Sequence, residues 1–385
     1  MTYNFSYIFP EMDSITRKEA AVHRFLDKNL SYQEFDNAYV LPSKDLWKDG
    51  KCFGGVVTKE GDFVESSAWH EGKRCDKYKF NESDAVRRVE MAIYMGFYNP
   101  CWGHAITDNL KKLWFLETDK CKELLEQGAK LIYLTIDNQP MAQYIYRLFA
   151  LAGVDMSKFE LITDLSRFAR IIVPDNSFIA DNGQRYFTRP YVDTIAMIKA
   201  NAISQNKEYP EKIYFTRTQL RSNRDIGEES IEKVFKRKGY TIIAPEQHSV
   251  DEQIQMLTHC KSFAATEGSI SHNAVFCEPG TDVVIVRKCN DVNKYQMAVN
   301  EVADVNVTYI DAHHSTKVPK DAPWVGPFYM CVTKEMEQYI GHKVIHLPMI
   351  LSPLWYCYRY YNAYNILRNK VSNVQCKIKK TLKLV

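Results

Sequence analysis

The C-terminal half of the chain alternates short apolar runs with amphipathic segments, and this alternation constrains the fold more than any other feature. Ser249 and Glu252 form a capping box that opens one predicted helix, and Asp225 with Glu228 predicts the start of another. Strands that alternate with helices of about 10–15 residues predict crossover units and a parallel sheet with both faces covered. The predicted strands are Lys212–Arg217, Tyr240–Ala244, Phe263–Thr266 and Asp282–Val286. The fold class is therefore α/β.

The segment Phe263–Gly280 contains a turn that suits an anionic ligand. Its predicted strand ends at Glu267-Gly268, and Ser269 and Ser271 suit the N-cap and first turn of a following helix. Such a unit directs backbone N–H groups and a helix N-terminus toward one point, which favours a phosphate or diphosphate. An ordinary βα turn has the same composition, so the turn alone leaves both interpretations open.

Other polar residues also follow predicted strands. Thr216-Arg217 and Glu246 end two of them, as Glu267-Gly268 ends a third. In parallel sheets, ligands bind outside the carboxyl ends of the strands. These residues are therefore expected to converge on one edge of the sheet, which an ordinary turn does not require.

The N-terminal half contains a second set of alternating units, while residues 1–85 carry no recognisable chemistry beyond a predicted hairpin at 54–66. Two successive α/β sets predict two Rossmann-like domains that face each other across a cleft. Strands are predicted at 130–136, 159–163 and 169–173, and helices at 141–151 and 191–203.

Within this half, His104 and Asp108 are four residues apart at the predicted start of a helix, after a Gly/Pro/Trp turn. This spacing places them on one helix face. A histidine with a carboxylate partner can be an oriented general base. A purely structural role is also open, because an aspartate near a helix start is favoured by the dipole alone.

Composition limits the class of protein and the cellular compartment that can be expected. The chain of 385 residues is 45% hydrophobic, which is enough for two domains with their own cores. No signal peptide and no run of 18 apolar residues is recognisable, so a membrane span is not expected. The ten cysteines lack zinc spacing, which predicts reduced thiols in the cytoplasm. No nucleic acid partner is expected.

The C-terminal 48 residues form a basic, aromatic tail. No acidic residue follows Glu337, and without the tail's eight basic residues the body has 42 Lys+Arg against 47 Asp+Glu. Basic and aromatic side chains together favour an anionic membrane surface. We expect residues near 350–368 to dock on the fold, and Lys370–Lys383 to reach the membrane. The alternative is a helix that packs back on the protein, with only the Lys-rich end free.

Three stretches, in order over residues 91–280, resemble glycosyltransferase family 61, in its bacterial branch associated with capsular and surface polysaccharides. They are Tyr94-Met95-Gly96 with Trp102-Gly103-His104 and Asp108; Tyr214-Phe215-Thr216-Arg217 with Arg224-Asp225-Ile226; and Glu246 with Gln253 and Glu267-Gly268-Ser269 to Asn273. The family's usual His-Gly-Ala-Gly-Leu-Thr-Asn turn is here residues 267–273, which retain only the first glycine and the final asparagine. This departure bears on the identity of the donor.

The resemblance implies a GT-B architecture: an acceptor-side domain over residues 1–190, a nucleotide-sugar domain over 191–337 and the tail over 338–385. It implies an inverting hexosyl- or pentosyltransferase that uses a nucleotide sugar, commonly UDP-linked, and a glycan or lipid-linked glycan acceptor. No metal or other cofactor is implied, and the sequence agrees, since no two aspartates have the D-x-D spacing.

The site expectations follow from these stretches. His104 and Asp108 are the predicted base pair, without a choice between them. Without a metal, the leaving diphosphate requires cations such as Arg217. The predicted donor-binding residues are Arg217, Arg221, Arg224, Glu246, Glu267, Gly268, Ser269, Ser271, His272 and Asn273.

Two alternatives remain at this level. A nucleotide-sugar epimerase of the same architecture would turn over the donor without an acceptor. A non-catalytic nucleotide- or carbohydrate-binding protein would not turn it over at all. A dehydrogenase is disfavoured, because no G-x-G-x-x-G follows a predicted strand.

Overall fold

A computed structural model describes residues 5–8, 19, 21–48, 51–69, 75–203, 208–220, 225–313, 326–341 and 343, with the single positions 356, 359, 360 and 363. Over these residues the chain forms a six-stranded sheet, a seven-stranded sheet and two two-stranded pairs, with helices packed between and around them. This is a mixed α/β fold with parallel strands, as the sequence predicts.

The strands are numbered in chain order. They are β1 (Phe5–Ile8), β2 (Tyr32–Lys48), β3 (Lys51–Val57), β4 (Cys75–Asp76), β5 (Arg87–Tyr98), β6 (Lys130–Thr135), β7 (Phe159–Leu161), β8 (Ser166–Pro174), β9 (Phe178–Asp181), β10 (Gln184–Phe187), β11 (Lys212–Phe215), β12 (Asp225–Ile226), β13 (Thr241–Ile243), β14 (Ser262–Thr266), β15 (Asp282–Arg287), β16 (Asn306–Asp311) and β17 (Phe328–Tyr329).

The α-helices are α1 (Trp102–Ile106), α2 (Asp119–Glu126), α3 (Gln143–Leu151), α4 (Arg189–Asn201), α5 (Glu228–Arg237), α6 (Val250–His259), α7 (Lys294–Ala303) and α8 (Lys334–Ile340). Short 3-10 helices cover Glu65–Ser67, Glu82–Asp84, Leu113–Glu117, Met156–Lys158, Pro245–Gln247 and Ser271–Phe276. No helix in the described part of the chain is long and apolar enough to cross a membrane.

The six-stranded sheet has the order β1-β16-β15-β14-β11-β13, and each pairing is parallel. Four of its strands are those predicted from the alternation in the C-terminal half. Because these strands are all parallel, the residues that follow β11, β13 and β14 lie at the same edge of the sheet. The outermost strand on the other side, β1, comes from the start of the chain and pairs with β16.

The seven-stranded sheet has the order β4-β3-β2-β8-β5-β6-β7 and mixes orientations. β2 is antiparallel to both β3 and β8, whereas β5 is parallel to β6 and β8. The predicted hairpin reduces to a single antiparallel bridge between Val57 and Phe63 across the turn. The predicted second strand is wrong, since Glu65–Ser67 form a 3-10 helix. The carboxyl end of β5 leads directly into the turn that precedes α1, and so it positions the His104 segment.

Helix starts show one confirmed and one wrong prediction. The Ser249–Glu252 capping box at α6 is present in both directions. Asp225 does not cap α5; the N-cap is Gly227, whose φ of +98° favours glycine. Asp225 lies instead in β12, and its carboxylate faces Lys288. The buried carboxylate thereby neutralises a buried cation rather than helix N–H groups.

A single cluster of buried apolar side chains connects the two large sheets. It runs from Tyr98 on β5 through Phe149 on α3, Ile198 on α4 and Leu257 on α6 to Phe263 on β14, and all five are at most 1% exposed. Each such side chain contributes about 1.5–3 kcal/mol of burial free energy. The residues at the ends of β5 and β14 are therefore held together by a continuous core.

Candidate active site

Two of the three sequence stretches meet in space. The indole Nε1 of Trp102 donates to Oδ1 of Asn273 at 3.1 Å, and the thiol of Cys101 lies 3.4 Å from Oγ of Ser269. A Cβ at Gly103 would lie 2.8 Å from Oγ of Ser269 and 3.0 Å from Nδ1 of His272. Only a glycine permits this approach, so the turn before α1 packs directly on the turn after β14.

His104 and Asp108 form the predicted pair, with Nδ1 of the imidazole 2.5 Å from Oδ2 of the carboxylate. The helix itself is shorter than predicted: α1 ends at Ile106, and Asp108 lies beyond it. The Asp108 side chain is 4% exposed and that of His104 is 26% exposed. An imidazole that donates from Nδ1 carries its lone pair on Nε2, so His104 is the member suited to accept a proton.

Tyr295, which belongs to no motif recognisable in the sequence, completes this cluster. Its hydroxyl donates to Oδ1 of Asp108 at 3.2 Å, and its ring meets the His104 ring edge-on at 5.6 Å. Burial, together with the Asp108 carboxylate, holds the pKa of Tyr295 well above its usual value, so it remains a donor. Asp108 is thus held from both oxygens, which fixes the imidazole.

Two further aromatic rings and one cation enclose the cluster. The Trp69 ring lies 5.0 Å from that of His104. Phe178 stacks on Tyr295 at 5.9 Å, and the Arg185 guanidinium lies 4.3 Å from the centre of the Tyr295 ring. These contacts restrict the motion of the His104 and Tyr295 rings. His104 remains the more exposed member of the His104–Asp108 pair.

His272 lies beside this cluster and is buried. Burial, and then the proximity of His104, lower the pKa of His272 to about 4. At neutral pH it is therefore uncharged, and its Nε2 lies 3.5 Å from Nδ2 of Asn293. An uncharged, packed imidazole supports the turn and does not supply positive charge to a ligand.

The turn after β14 differs from the prediction in its helix. Residues Ser271–Phe276 form a 3-10 helix of six residues, and its N-cap is Ile270, without a side-chain cap. The prediction of an α-helix with Ser269 at its N-cap is therefore wrong, while Ser271 lies in the first turn as predicted. Ser271 Oγ instead accepts the N–H of Gly268 at 3.1 Å and contacts Oε1 of Gln296 at 2.5 Å.

The sequence there is too short for a regular helix, because Pro279 and the next strand follow closely. The backbone N–H of Gly268 is occupied by Ser271, and Asn273 donates to the carbonyl of Ile270 at 2.8 Å. Asn273 thus has a structural role in the turn, between Ile270 and Trp102. Charge for an anion must come from side chains at this edge of the sheet.

Two cations flank Gly268. A Cβ at Gly268 would lie 3.4 Å from Nζ of Lys288 and 3.9 Å from Nη1 of Arg217. Lys288 donates to both oxygens of Asp225 at 3.1 and 3.2 Å, and Arg217 lies 3.9 Å from the same carboxylate. One carboxylate therefore holds two cations at the ends of β11 and β15. Arg221 and Arg224 lie outside the described residues.

Two buried carboxyl groups adjoin these cations. Burial and the neighbouring Asp225 raise the pKa of Glu228 to about 8, and Tyr214 donates to it at 3.0 Å. Burial raises the pKa of Glu267 to about 7, and its Oε1 accepts the N–H of Asn293 at 3.4 Å. Near pH 7 Glu228 is largely protonated and Glu267 about half protonated, so together they add less negative charge beside Arg217 and Lys288 than two ordinary carboxylates would.

The predicted donor residues therefore separate into groups. Arg217, Gly268 and Ser269 lie together at the carboxyl edge of the sheet, beside the His104 turn. Glu267 is 1% exposed and faces inward. Glu246 is exposed in the 3-10 helix Pro245–Gln247, one strand further toward the sheet margin.

The fold and this site define an α/β protein with an oriented His–Asp pair close to a pair of sheet-edge cations. A family model described as Glycosyltransferase 61 matches residues 102–284. The match supports the assignment of this part of the chain to glycosyltransferase family 61, and the family implies glycosyltransferase activity with a sugar donor and an acceptor. A search of curated proteins gave no match.

Proposed function

We propose that this protein is an inverting glycosyltransferase that moves a hexosyl or pentosyl group from a UDP-linked donor to a glycan or lipid-linked glycan, without a metal ion. The observation that carries the proposal is the packing of the His104 turn on the Ser269–Asn273 turn, beside Arg217 and Lys288. Because these two turns pack together, a base on one and cations beside the other can act on the two ends of one transfer. The base acts on the acceptor hydroxyl, and the cations act on the leaving diphosphate.

His104 is the proposed base. It takes the proton of the acceptor hydroxyl as that oxygen attacks the anomeric carbon from the face opposite the leaving nucleotide. The Asp108 carboxylate, 2.5 Å from Nδ1, stabilises the imidazolium that forms. Tyr295 keeps the carboxylate in place through its 3.2 Å hydrogen bond. An attack from the opposite face inverts the anomeric configuration.

Arg217 and Lys288 are the proposed partners of the leaving diphosphate. In the transition state, negative charge gathers on the diphosphate, and preformed cations stabilise it most where little water competes. Lys288 is 3% exposed, so its charge is little screened. The absence of a D-x-D motif supports metal independence, and no group of His, Cys, Asp or Glu suited to a metal occurs in the described part of the chain.

At the level of architecture, we propose a GT-B arrangement with the acceptor side over residues 1–190 and the nucleotide-sugar side over 191–337. The division into two large sheets supports it: the seven-stranded sheet lies within residues 1–190, and the six-stranded sheet lies within 191–337 except for β1, which comes from the start of the chain. We place the enzyme in the cytoplasm, at the inner face of the cell membrane through the basic tail over residues 338–385, in capsular or surface polysaccharide synthesis. The charge pattern of the tail supports the location.

The test is release of nucleoside diphosphate from a panel of nucleotide sugars, with and without EDTA, in the presence of membrane extracts or soluble glycans as acceptors. Release that needs an acceptor and survives EDTA is expected. Conversion of the donor to another nucleotide sugar without acceptor would identify an epimerase instead. Binding without any turnover across the panel contradicts catalysis.

A further inference from the structure

A groove of about 1300 Å³ opens in the N-terminal part of the molecule, away from Arg217 and Lys288. One wall comes from β2 and the turn after β3, with Phe35 and Phe63, and the other from the β9–β10 hairpin, with Ile179 and Asn182. The volume exceeds the roughly 300–1,000 Å³ of common small-molecule sites, so an occupant of several rings fits.

Each wall of the groove is connected to the aromatic rings that surround His104. On one side, Arg185 lines the groove and lies 4.3 Å from the ring centre of Tyr295, which donates to Asp108. On the other side, Glu65 and Ser66 line the groove, and the same segment continues to Trp69, whose ring lies 5.0 Å from that of His104. One wall of the groove therefore contacts the His–Asp–Tyr cluster through Arg185, and the other is continuous in sequence with Trp69, which packs on His104.

The lining combines apolar faces with hydrogen-bonding side chains. Phe35 and Phe63 supply aromatic surface, while Gln33, Asn176 and Asn182 supply amide groups. Sugar rings have apolar C–H faces and hydroxyl edges, and a site with few apolar surfaces and several placed polar groups suits them.

Most of the charged residues that line the groove are acidic, which favours some ligands over others. Four carboxylates line the groove (Asp62, Glu65, Asp175 and Asp181), against the two cations Lys28 and Arg185. Lys28 lies 3.6 Å from Asp175, so these two charges offset each other, whereas the neutral Tyr295 ring leaves the charge of Arg185 in place. Asp62, Glu65 and Asp181 therefore share the groove with one uncompensated cation. The remaining field is negative, which repels anionic ligands and tolerates neutral or cationic ones.

We propose that this groove binds the acceptor as an uncharged or amine-bearing oligosaccharide, and that it disfavours glycans carrying carboxylate or phosphate. The proposal rests on the proposed function, since the groove is assigned to the acceptor only because its walls adjoin the surroundings of the catalytic pair. A diphosphate of a lipid-linked acceptor must then lie outside the groove, with the sugar chain inside it.

Saturation-transfer NMR on the full chain, at low salt, tests the proposal with four trisaccharides of equal length. These are a neutral hexose, a neutral N-acetylhexosamine, a glucosamine and a galacturonate trimer. Neutral or amine-bearing trimers are expected to bind at least about tenfold more tightly than the galacturonate trimer. Equal affinities, or no binding by any trimer, overturn the proposal.

Two variants locate the binding. Ile179→Trp adds an indole ring to one wall of the groove, which narrows it, and is expected to weaken the neutral trimer by about tenfold or more. Asp62→Asn combined with Glu65→Gln is expected to strengthen the galacturonate trimer about fivefold, because both changes remove groove charges. Asp119→Asn with Glu126→Gln, which removes two exposed carboxylates on α2, is the matched control. Binding that survives Ile179→Trp places the saccharide elsewhere and overturns the proposal.

Nucleotide release from the donor panel, measured on the same preparations, separates this proposal from the function on which it rests. Saccharide binding in the groove without any turnover of a nucleotide sugar removes the transferase and leaves a saccharide-binding groove. If turnover is normal and Ile179→Trp leaves it unchanged at subsaturating acceptor, the groove is not the acceptor site. The transferase function would then stand without it.

Discussion

Trp102 and Asn273, which are 171 positions apart in the chain, are joined by a hydrogen bond of 3.1 Å from the indole Nε1 to the amide oxygen. The bond connects the turn that carries His104 to the turn that follows β14. A neutral hydrogen bond of this kind contributes only about 1 kcal/mol, so it orients the two turns more than it stabilises the protein. Their distance of approach is set by Gly103.

Gly103→Ala is expected to lower kcat by about ten- to a hundredfold, since overpacking costs about 1–3 kcal/mol. The new Cβ would lie 3.1 Å from the Cα of Ser269, and backbone cannot rotate away. Adding Ser269→Gly removes only the hydroxyl contact at 2.8 Å, so the double variant should recover part of the loss. Steady-state kinetics and melting temperature are the readouts. Wild-type kcat in Gly103→Ala would show that the two turns lie further apart than described.

His104→Ala and Asp108→Asn are expected to lower kcat by about 10²–10⁴-fold while donor Kd changes little, because the proposed diphosphate contacts are made by Arg217 and Lys288 and not by this pair. Tyr295→Phe keeps the ring but removes the hydrogen bond to Asp108, and it should cost about tenfold in kcat. Kinetics and donor titrations check all three. Normal transfer rates in both His104→Ala and Asp108→Asn would mean that the pair is structural.

The sequence predicts the His–Asp pair and the converging strand ends well, because both depend on local spacing. A four-residue separation brings His104 to Asp108 even though α1 ends before Asp108. Strand alternation likewise places Arg217 and Gly268 at one edge of a parallel sheet. These relationships need only short-range geometry and the topology of crossover units.

The remaining site residues depend on contacts that no local pattern reveals. Tyr295 is 187 positions from Asp108, and Lys288 follows an ordinary apolar strand, where a lysine is typical of a solvated strand end. The 3-10 helix after Ser269 was predicted as an α-helix because good capping residues precede an apolar run. The chain leaves too few residues there for the 3.6-residue repeat to develop.

Donor binding should depend on the cations beside Gly268. Arg217→Ala is expected to weaken nucleoside diphosphate binding by about tenfold or more, since a charge-assisted contact is lost. Gly268→Val should do the same, because Gly268 has a φ of +136° and its new Cβ would lie 3.4 Å from Nζ of Lys288 and 3.9 Å from Nη1 of Arg217. Calorimetric titrations with and without EDTA measure this, and Gly61→Ala, at a positive φ in open space, is the control for strain. Loss of affinity on chelation contradicts metal independence.

Stability should fall as pH rises from about 6.5 to 8, because the folded protein keeps Glu228 protonated there while the unfolded chain does not. Its pKa is about 8 when folded, so it binds the additional proton in the native state. The slope for this group is about −1.4 kcal/mol per pH unit well below pH 8 and about half of that at pH 8, where the folded-state carboxyl is half ionised. Below about 6.5, His272 acts oppositely, since its folded pKa of about 4 makes stability rise with pH.

Urea unfolding across this pH range checks the slope. Glu228→Gln keeps an acceptor for Tyr214 and cannot ionise, so its stability should fall less steeply between pH 6.5 and 8. Glu267, with a pKa of about 7, retains a smaller slope at the lower end of this window. Identical slopes in the variant and the wild type would show that Glu228 ionises normally in the folded state.

Membrane attachment is expected to depend on the basic end of the tail, most of which lies outside the described residues. Each Lys near an anionic surface contributes about 1 kcal/mol, so five together suffice for reversible binding. Changing Lys370, Lys377, Lys379, Lys380 and Lys383 to Gln in the full chain should abolish sedimentation with anionic vesicles. Binding of the wild-type chain should weaken as salt is raised, because the attraction is screened. Neutral vesicles are the control, since they lack the surface potential. Equal pelleting of the two proteins, or pelleting that salt leaves unchanged, would rule out an electrostatic membrane anchor.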